Sequence, residues 1–152
     1  MAESDGDELA AEDASAEQAE PTPQIELLYG VPVSHSRGQV VLHPDRQRYL
    51  DLIEALAGDG YMMCIDLCGV DALTNSTRVL PETVVPCRFE VVVNLLDLDQ
   101  RRRIRVRVQL PEDDPVVPTI SQLHPGAEAM EREAMDMFGF EFSDHPDPTR
   151  IL

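Results

Sequence analysis

The sequence predicts an α+β fold, with one mixed, mostly antiparallel sheet and two main helices packed on it in two layers, behind a disordered acidic N-terminal tail. Three observations predict it. Arg103–Leu110 alternates Arg103, Arg105, Arg107 and Gln109 with Ile104, Val106, Val108 and Leu110, the period of a strand with one face buried. Tyr49, Leu52, Ile53, Leu56 and Ala57 recur at helical spacing, as do Ala127, Met130, Ala134, Met137 and Phe138. Residues 1–23 hold eight acids and no base, too few apolar groups to offset the entropy of ordering. The domain is therefore expected over residues 24–152.

In chain order, Ile25–Val33 is a short apolar stretch closed by Gly30 and Pro32. Ser34-His35-Ser36-Arg37-Gly38 is expected as a polar turn or loop, and Gln39–Leu42 as a short returning strand. His43-Pro44-Asp45 opens the first helix, with Pro44 near its first turn, and Gly58-Asp59-Gly60 ends it. Tyr61–Leu67 is mostly apolar and reads as a well-buried strand. Asp71–Pro86 has no period and reads as loop.

Arg88–Leu98 and Arg103–Leu110, joined by a short polar linker, predict an antiparallel hairpin. Pro111–Pro118 is expected as an extended loop, because each proline pushes its predecessor toward extended geometry. The second helix is expected from about Pro125-Gly126 to Phe138, with Gly139 in the left-handed position past its end.

Charge and length narrow the function. The net charge of −17 falls to −9 without the eight tail acids, still the wrong sign for a nucleic-acid binder. All twelve basic residues are arginines. No apolar run approaches the roughly 20 residues needed to span a bilayer. Three cysteines, an odd number, and no basic-apolar leader are expected of reduced thiols in a cytoplasm.

The familiar catalytic motifs do not occur. Cys64 and Cys68 have C-x3-C spacing, and Cys87 has no partner nearby in sequence, so neither an iron–sulfur centre nor zinc is expected. Strand periodicity places Cys64 and Cys68 on one side, as small buried hydrophobes. There is no glycine-rich phosphate loop, dinucleotide fingerprint or nucleophile elbow. Glu131 and Glu133 diverge by about 200° on a helix, a poor acid–base pair. No catalytic, cofactor-binding or metal-binding residue is therefore expected in the chain.

The stretch from Pro125 to Leu152 carries a denser pattern: Glu131-Arg132-Glu133, Asp136-Met137-Phe138-Gly139, Phe142, His145-Pro146-Asp147 and Arg150-Ile151-Leu152. It resembles the signature of the C subunit family of NADH-quinone oxidoreductases, the respiratory complex I 30 kDa subunit family. Arg88–Val92, Leu110–Asp113, Asp66 and Val70-Asp71 are similar to the same family. Tyr29-Gly30 through Ser34-His35-Ser36-Arg37-Gly38 to His43-Pro44 is similar to its high-GC, actinobacterial-type members, so the resemblance spans roughly Leu27–Leu152. The family commonly has aromatic residues where Ala129, Met130 and Met135 stand, and a Trp where His124 stands. Many members also continue past the Arg-Ile-Leu with a tail that wraps a neighbouring subunit.

The resemblance implies a non-catalytic docking subunit of the cytoplasmic arm of a proton-translocating enzyme. Its implied partners are the quinone-site subunit (D) and the terminal iron–sulfur cluster subunit (B). It implies a peripheral location on the cytoplasmic side of the cell membrane, reached through those partners. NADH, FMN, iron–sulfur clusters and quinone are implied in other subunits. The interface residues it implies are Glu131, Arg132, Glu133, Asp136, Phe138, Gly139, His145, Pro146, Asp147 and Arg150. From charge alone, Arg103, Arg105 and Arg107 form a second candidate surface, a positive stripe in an acidic chain. On residues alone, Glu128, Arg132 and Asp136 read as an exposed i,i+4 ladder worth about 0.2–0.5 kcal/mol per pair. The turn at His145-Pro146-Asp147 reads as a rigid corner presenting His145 and Arg150. Two rival readings are an equivalent subunit of a membrane-bound hydrogenase or other-donor oxidoreductase, and a small metalloenzyme using Cys64, Cys68, His124 or His145.

Overall fold

The computed structural model describes residues 25–75 and 77–152; the expected tail over residues 1–23 lies outside the described residues. Strands β1 (Leu27–Leu28), β2 (Val31–Ser36) and β3 (Gln39–Leu42) precede helix α1 (Arg46–Gly58). Strands β4 (Met63–Asp71), β5 (Phe89–Asp97), β6 (Arg102–Leu110) and β7 (Val116–Pro118) lead to α2 (Ala127–Phe138) and β8 (Glu141–Ser143). Six strands form one sheet in the order β1-β2-β3-β6-β5-β4, antiparallel except where β3 runs parallel to β6. The α+β class and its mixed, mostly antiparallel sheet are as the sequence predicts. Among the described residues, no helix is long and apolar enough to cross a membrane.

The predicted hairpin is β5–β6, in register from Phe89↔Leu110 to Asp97↔Arg102. Its inward residues Val91, Val93, Leu95, Ile104, Val106, Val108 and Leu110 join Tyr49, Leu52, Ile53 and Leu56 of α1 in one core. Burying each of these α1 aliphatics stabilises the fold by roughly 1.5–3 kcal/mol. Asp45 caps α1, its carboxylate accepting from the Arg48 N–H at 2.8 Å, so Pro44 stands before the cap and outside the first turn.

Three expectations change. Ser34–Ser36 belong to β2, because the turn needs only Arg37 and Gly38, both at positive φ (51° and 76°), the geometry of a tight two-residue hairpin. Val116–Pro118 is a strand, since β8 returns to pair with it in parallel. The largest correction concerns β4, which is an edge strand and mostly exposed; of its residues only Leu67 is buried. A register shift between Cys64 and Asp66 turns its later residues over. Cys64 pairs with inward Leu95 and Cys68 with outward Val92, so the two thiols occupy opposite faces.

Candidate functional site

Helix α2 lies over the edge strand β4 and fixes the position of everything after it. Gly139, at φ 73°, ends the helix, its N–H bonding to the Met135 carbonyl at 2.9 Å. The chain reverses there, and Phe140 stacks on Phe138 (5.2 Å between centroids) and meets Phe89 edge-on (5.4 Å). Gly69 of β4 sits beneath these rings; a Cβ at that position would overlap both Phe138 and Phe140. The close approach of helix to sheet requires glycine there.

The face of α2 that enters the core differs from the expected stripe. Ala127, Glu131 and Ala134 are the buried residues, whereas Met137 is 61 % exposed. Positions 127, 131, 134 and 138 follow helical spacing, and Glu131 occupies a core position among them. Its carboxylate is fully enclosed. Oε1 accepts the Ile120 N–H at 2.8 Å, and Oε2 accepts the Thr119 hydroxyl. The Thr119 oxygen in turn accepts the Ser121 N–H at 3.1 Å. Burial pushes the Glu131 carboxyl above its ordinary value, against the opposing pull of the Ile120 N–H, the Thr119 hydroxyl and His145.

His145 turns inward to this carboxylate. Its side chain is 1 % exposed, with Nε2 3.5 Å from the Glu131 Oε2 and 3.2 Å from the Glu128 carbonyl. Nδ1 accepts the Asp147 N–H at 3.1 Å, which leaves the proton of a neutral ring on Nε2, facing the two oxygens. The turn at His145-Pro146-Asp147 presents Arg150 outward (77 % exposed), but holds the His145 ring inside.

The expected surface ladder on α2 does not form. Arg132 reaches the chain end instead, donating from Nε to the Thr149 carbonyl and from Nη2 to the Thr149 hydroxyl, both at 2.8 Å, with Asp147 at 3.6 Å. Asp136 accepts the Ile151 and Leu152 N–H groups at 2.7 and 2.9 Å and lies 3.4 Å from Arg150. Those two backbone donors hold its carboxyl below the usual carboxylate range. Asp147 is held low by the Thr149 hydroxyl and N–H. The signature therefore divides into two sets. Glu131, Arg132, Asp136, His145 and Asp147 bind α2 to the last eight residues. Glu133, Gly139, Pro146 and Arg150 are exposed, and Phe138 is half-buried.

The arginine stripe also divides. Arg107 clamps Glu90, itself 1 % exposed, from Nε to Oε2 and from Nη2 to Oε1 at 2.8 Å each. Arg78 binds the same carboxylate from the loop before β5. Arg105 donates to Asn94 at 2.8 Å, and Arg103 is exposed. Arg107 is thus a structural ion-pair member, while Arg103 and Arg105 keep charge for other use.

Sequence reasoning missed Thr119, Ser121 and the interior position of Glu131. The signal was present in the spacing of Ala127, Glu131 and Ala134, which places a carboxylate in an apolar row. Among the described residues, no group of three or more His, Cys, Asp or Glu is arranged to hold a metal ion. Cys64 is pushed up to about 11 and Cys68 upward by burial, which disfavours the thiolate a metal or nucleophile role needs.

Residues 42–152 match the family model described as respiratory-chain NADH dehydrogenase, 30 Kd subunit. The chain is 39 % identical over 139 residues to the C subunit of NADH-quinone oxidoreductase from Bordetella petrii, covering 85 % of this chain and 66 % of that one. It is 39 % identical over 123 residues to the same subunit of Saccharopolyspora erythraea, covering 79 % and 46 %. For Sinorhizobium medicae the figures are 41 % over 118 residues, covering 76 % and 53 %. The chain thus spans about half to two thirds of the length of the curated relatives it matches. Among solved structures it is similar to the trypsin-resistant fragment (1-134) of Nqo5, with TM-score 0.70 and 32 % identity, covering 78 % of this chain and 89 % of the fragment. It also resembles a chain of a membrane-bound sulfane sulfur reductase, an archaeal respiratory membrane complex, with TM-score 0.62 over 76 % of this chain and 63 % of that one. At 18 % identity that second likeness shows the fold alone.

Proposed function

Because the chain belongs to the respiratory-chain NADH dehydrogenase 30 kDa subunit family, we propose that it is a docking subunit of an NADH-quinone oxidoreductase, without catalytic groups of its own. Its place is the cytoplasmic arm, peripheral to the membrane. There it fixes the quinone-site subunit relative to the one that holds the terminal iron–sulfur cluster. NADH, FMN, the clusters and quinone are held by those and other subunits.

One observation carries this reading. Five residues of the family signature, Glu131, Arg132, Asp136, His145 and Asp147, bind α2 to the chain's last eight residues, through Glu131–His145, Arg132–Thr149, Arg132–Asp147 and Asp136–Ile151. Their side chains are committed to one another and to the backbone of that segment. A rigid corner of this kind suits a surface whose shape must persist when subunits meet. Exposed Met137 and Arg150 on its outside supply an apolar contact and a charge that sets orientation.

The test places Met137→Asp with Arg150→Glu in the host enzyme. Native gels measure assembled complex, and membranes report NADH-to-quinone electron transfer. Activity should fall in proportion to assembled complex, with turnover per assembled complex unchanged. Full assembly with lost turnover would contradict a docking role.

A further inference from the structure

The sheet's second face, opposite the helices, carries a cluster of charged and apolar side chains that the signature does not include. Its make-up follows from strand register. Because β3 runs parallel to β6, the β2–β3 turn and the β5–β6 turn lie at the same end of the sheet. Arg37 stands in the first turn and Arg101 in the second, at φ 51° and 52°. Arg103 and Arg105 follow on the outward side of β6, opposite Leu96 and Asn94 of β5.

Seven of the twelve arginines sit within 4.0 Å of a carboxylate oxygen. Among the described residues, Arg37, Arg48, Arg101, Arg103 and Arg105 do not, and four of these five gather at this one end. In a chain of net charge −17, unneutralised cations collected at one place mark a site for negative charge. Asp66 and Asp99 border the patch, and neither forms an ion pair among the described residues.

The same end exposes apolar groups. Met63 faces Leu96 across the β4–β5 ladder on the outward side, and Met62 (66 %) and Leu98 (61 %) stand open beside them. These residues line a recess of about 230 Å³ that runs from Gly60 to Asp99. At the other end of this face the loop before β5 is tied down through Arg78 to Glu90. At this end no described residue covers it. Methionines at a recess rim adapt to an inserted apolar side chain.

We infer that this end of the outward sheet face binds an acidic segment of a neighbouring subunit, with an apolar side chain entering the recess beside Met62 and Leu98 and carboxylates meeting Arg103 and Arg105. The inference rests on the docking reading above and adds a second, separate contact to it. Charge selects the occupant: a second copy of so acidic a chain would be repelled.

A photo-cross-linker tests it in the assembled enzyme. The full chain carrying Leu98→p-benzoylphenylalanine is expressed in the host, the complex is solubilised and irradiated, and the linked peptides are sequenced by mass spectrometry. The expected product joins Leu98 to an Asp- or Glu-rich segment of another subunit. Arg103→Glu with Arg105→Glu should reduce that product at least tenfold without altering the chain's melting temperature by more than a few degrees. A link to residues 1–24 of this chain, to a second copy, or to a segment lacking acids overturns the inference. So does a complex that contains the chain but yields no link. If the unsubstituted chain fails to co-migrate with the complex, the docking reading falls as well.

Discussion

Glu131 Oε2 and His145 Nε2 lie 3.5 Å apart with both side chains closed off from solvent, and this contact ties the middle of α2 to the turn after β8. The Glu128 carbonyl, 3.2 Å from the same nitrogen, adds a second tie. Removing the carboxylate strands the Ile120 N–H and the Thr119 hydroxyl. Glu131→Ala is expected to cost about 3 kcal/mol. Glu131→Gln, which keeps an acceptor for Ile120, should cost much less. Denaturant unfolding of the two variants distinguishes them.

The same carboxyl has a pH signature. Its folded-state pKa is raised above 4.5, so its protonated form is favoured by folding. The stability that this contributes is fully present below 4.5 and is lost as pH rises through the raised folded value. Glu131→Gln should remove that part of the pH dependence, seen as a flatter stability curve above pH 4.5.

Asp136 works in the opposite direction. Its folded pKa is depressed below 3.8 by the Ile151 and Leu152 N–H groups, so its contribution is present above 3.8 and is lost as pH falls through the depressed value. Asp136→Ala should speed hydrogen exchange at the Ile151 and Leu152 amides at neutral pH. Acidifying the unsubstituted chain should lower the protection factors of the same two amides, with intrinsic exchange corrected for pH. Unchanged exchange in the variant would show that the carboxylate does not hold this segment.

Gly69→Ala places a methyl group into the rings of Phe138 and Phe140. The expected loss is about 1–3 kcal/mol, from overpacking between helix and sheet. A melting curve measures it. An unchanged melting temperature would mean that α2 does not sit so closely on β4.

The two fates of the arginine stripe predict a contrast. Arg107→Ala leaves the buried Glu90 with Arg78 alone and should lose about 2 kcal/mol. Arg103→Ala removes no ion pair seen among the described residues and should stay within about 0.5 kcal/mol of the parent. Equal effects in unfolding experiments would contradict the division.

Much of this was legible in the sequence because local chemistry fixes it. Period-two alternation reads out β5–β6 directly, and Gly139 announces the end of α2. What was not legible depends on neighbours distant in sequence. The apolar run at Met62–Ile65 reads as buried, yet an edge position exposes it, and edge position is a property of the whole sheet. The one-residue shift at Cys64/Asp66 puts the two thiols on opposite faces where the period puts them on one, and no local pattern signals it. Arg132 and Asp136 have helix neighbours of opposite charge, but partners seventeen and fifteen residues away take them instead. The family resemblance in residues 125–152 singled out these side chains without saying what they touch; their contacts tie α2 to the chain end.

The docking role is tested by recovering the full chain, tagged at its N-terminus, from detergent-solubilised host membranes and quantifying what comes with it. The docking account predicts the quinone-site and terminal-cluster subunits in equal amounts with the chain, and no flavin or iron on the chain once they are stripped away. Recovery of the chain alone, or of the separated chain with a stoichiometric flavin or iron signal, would contradict it.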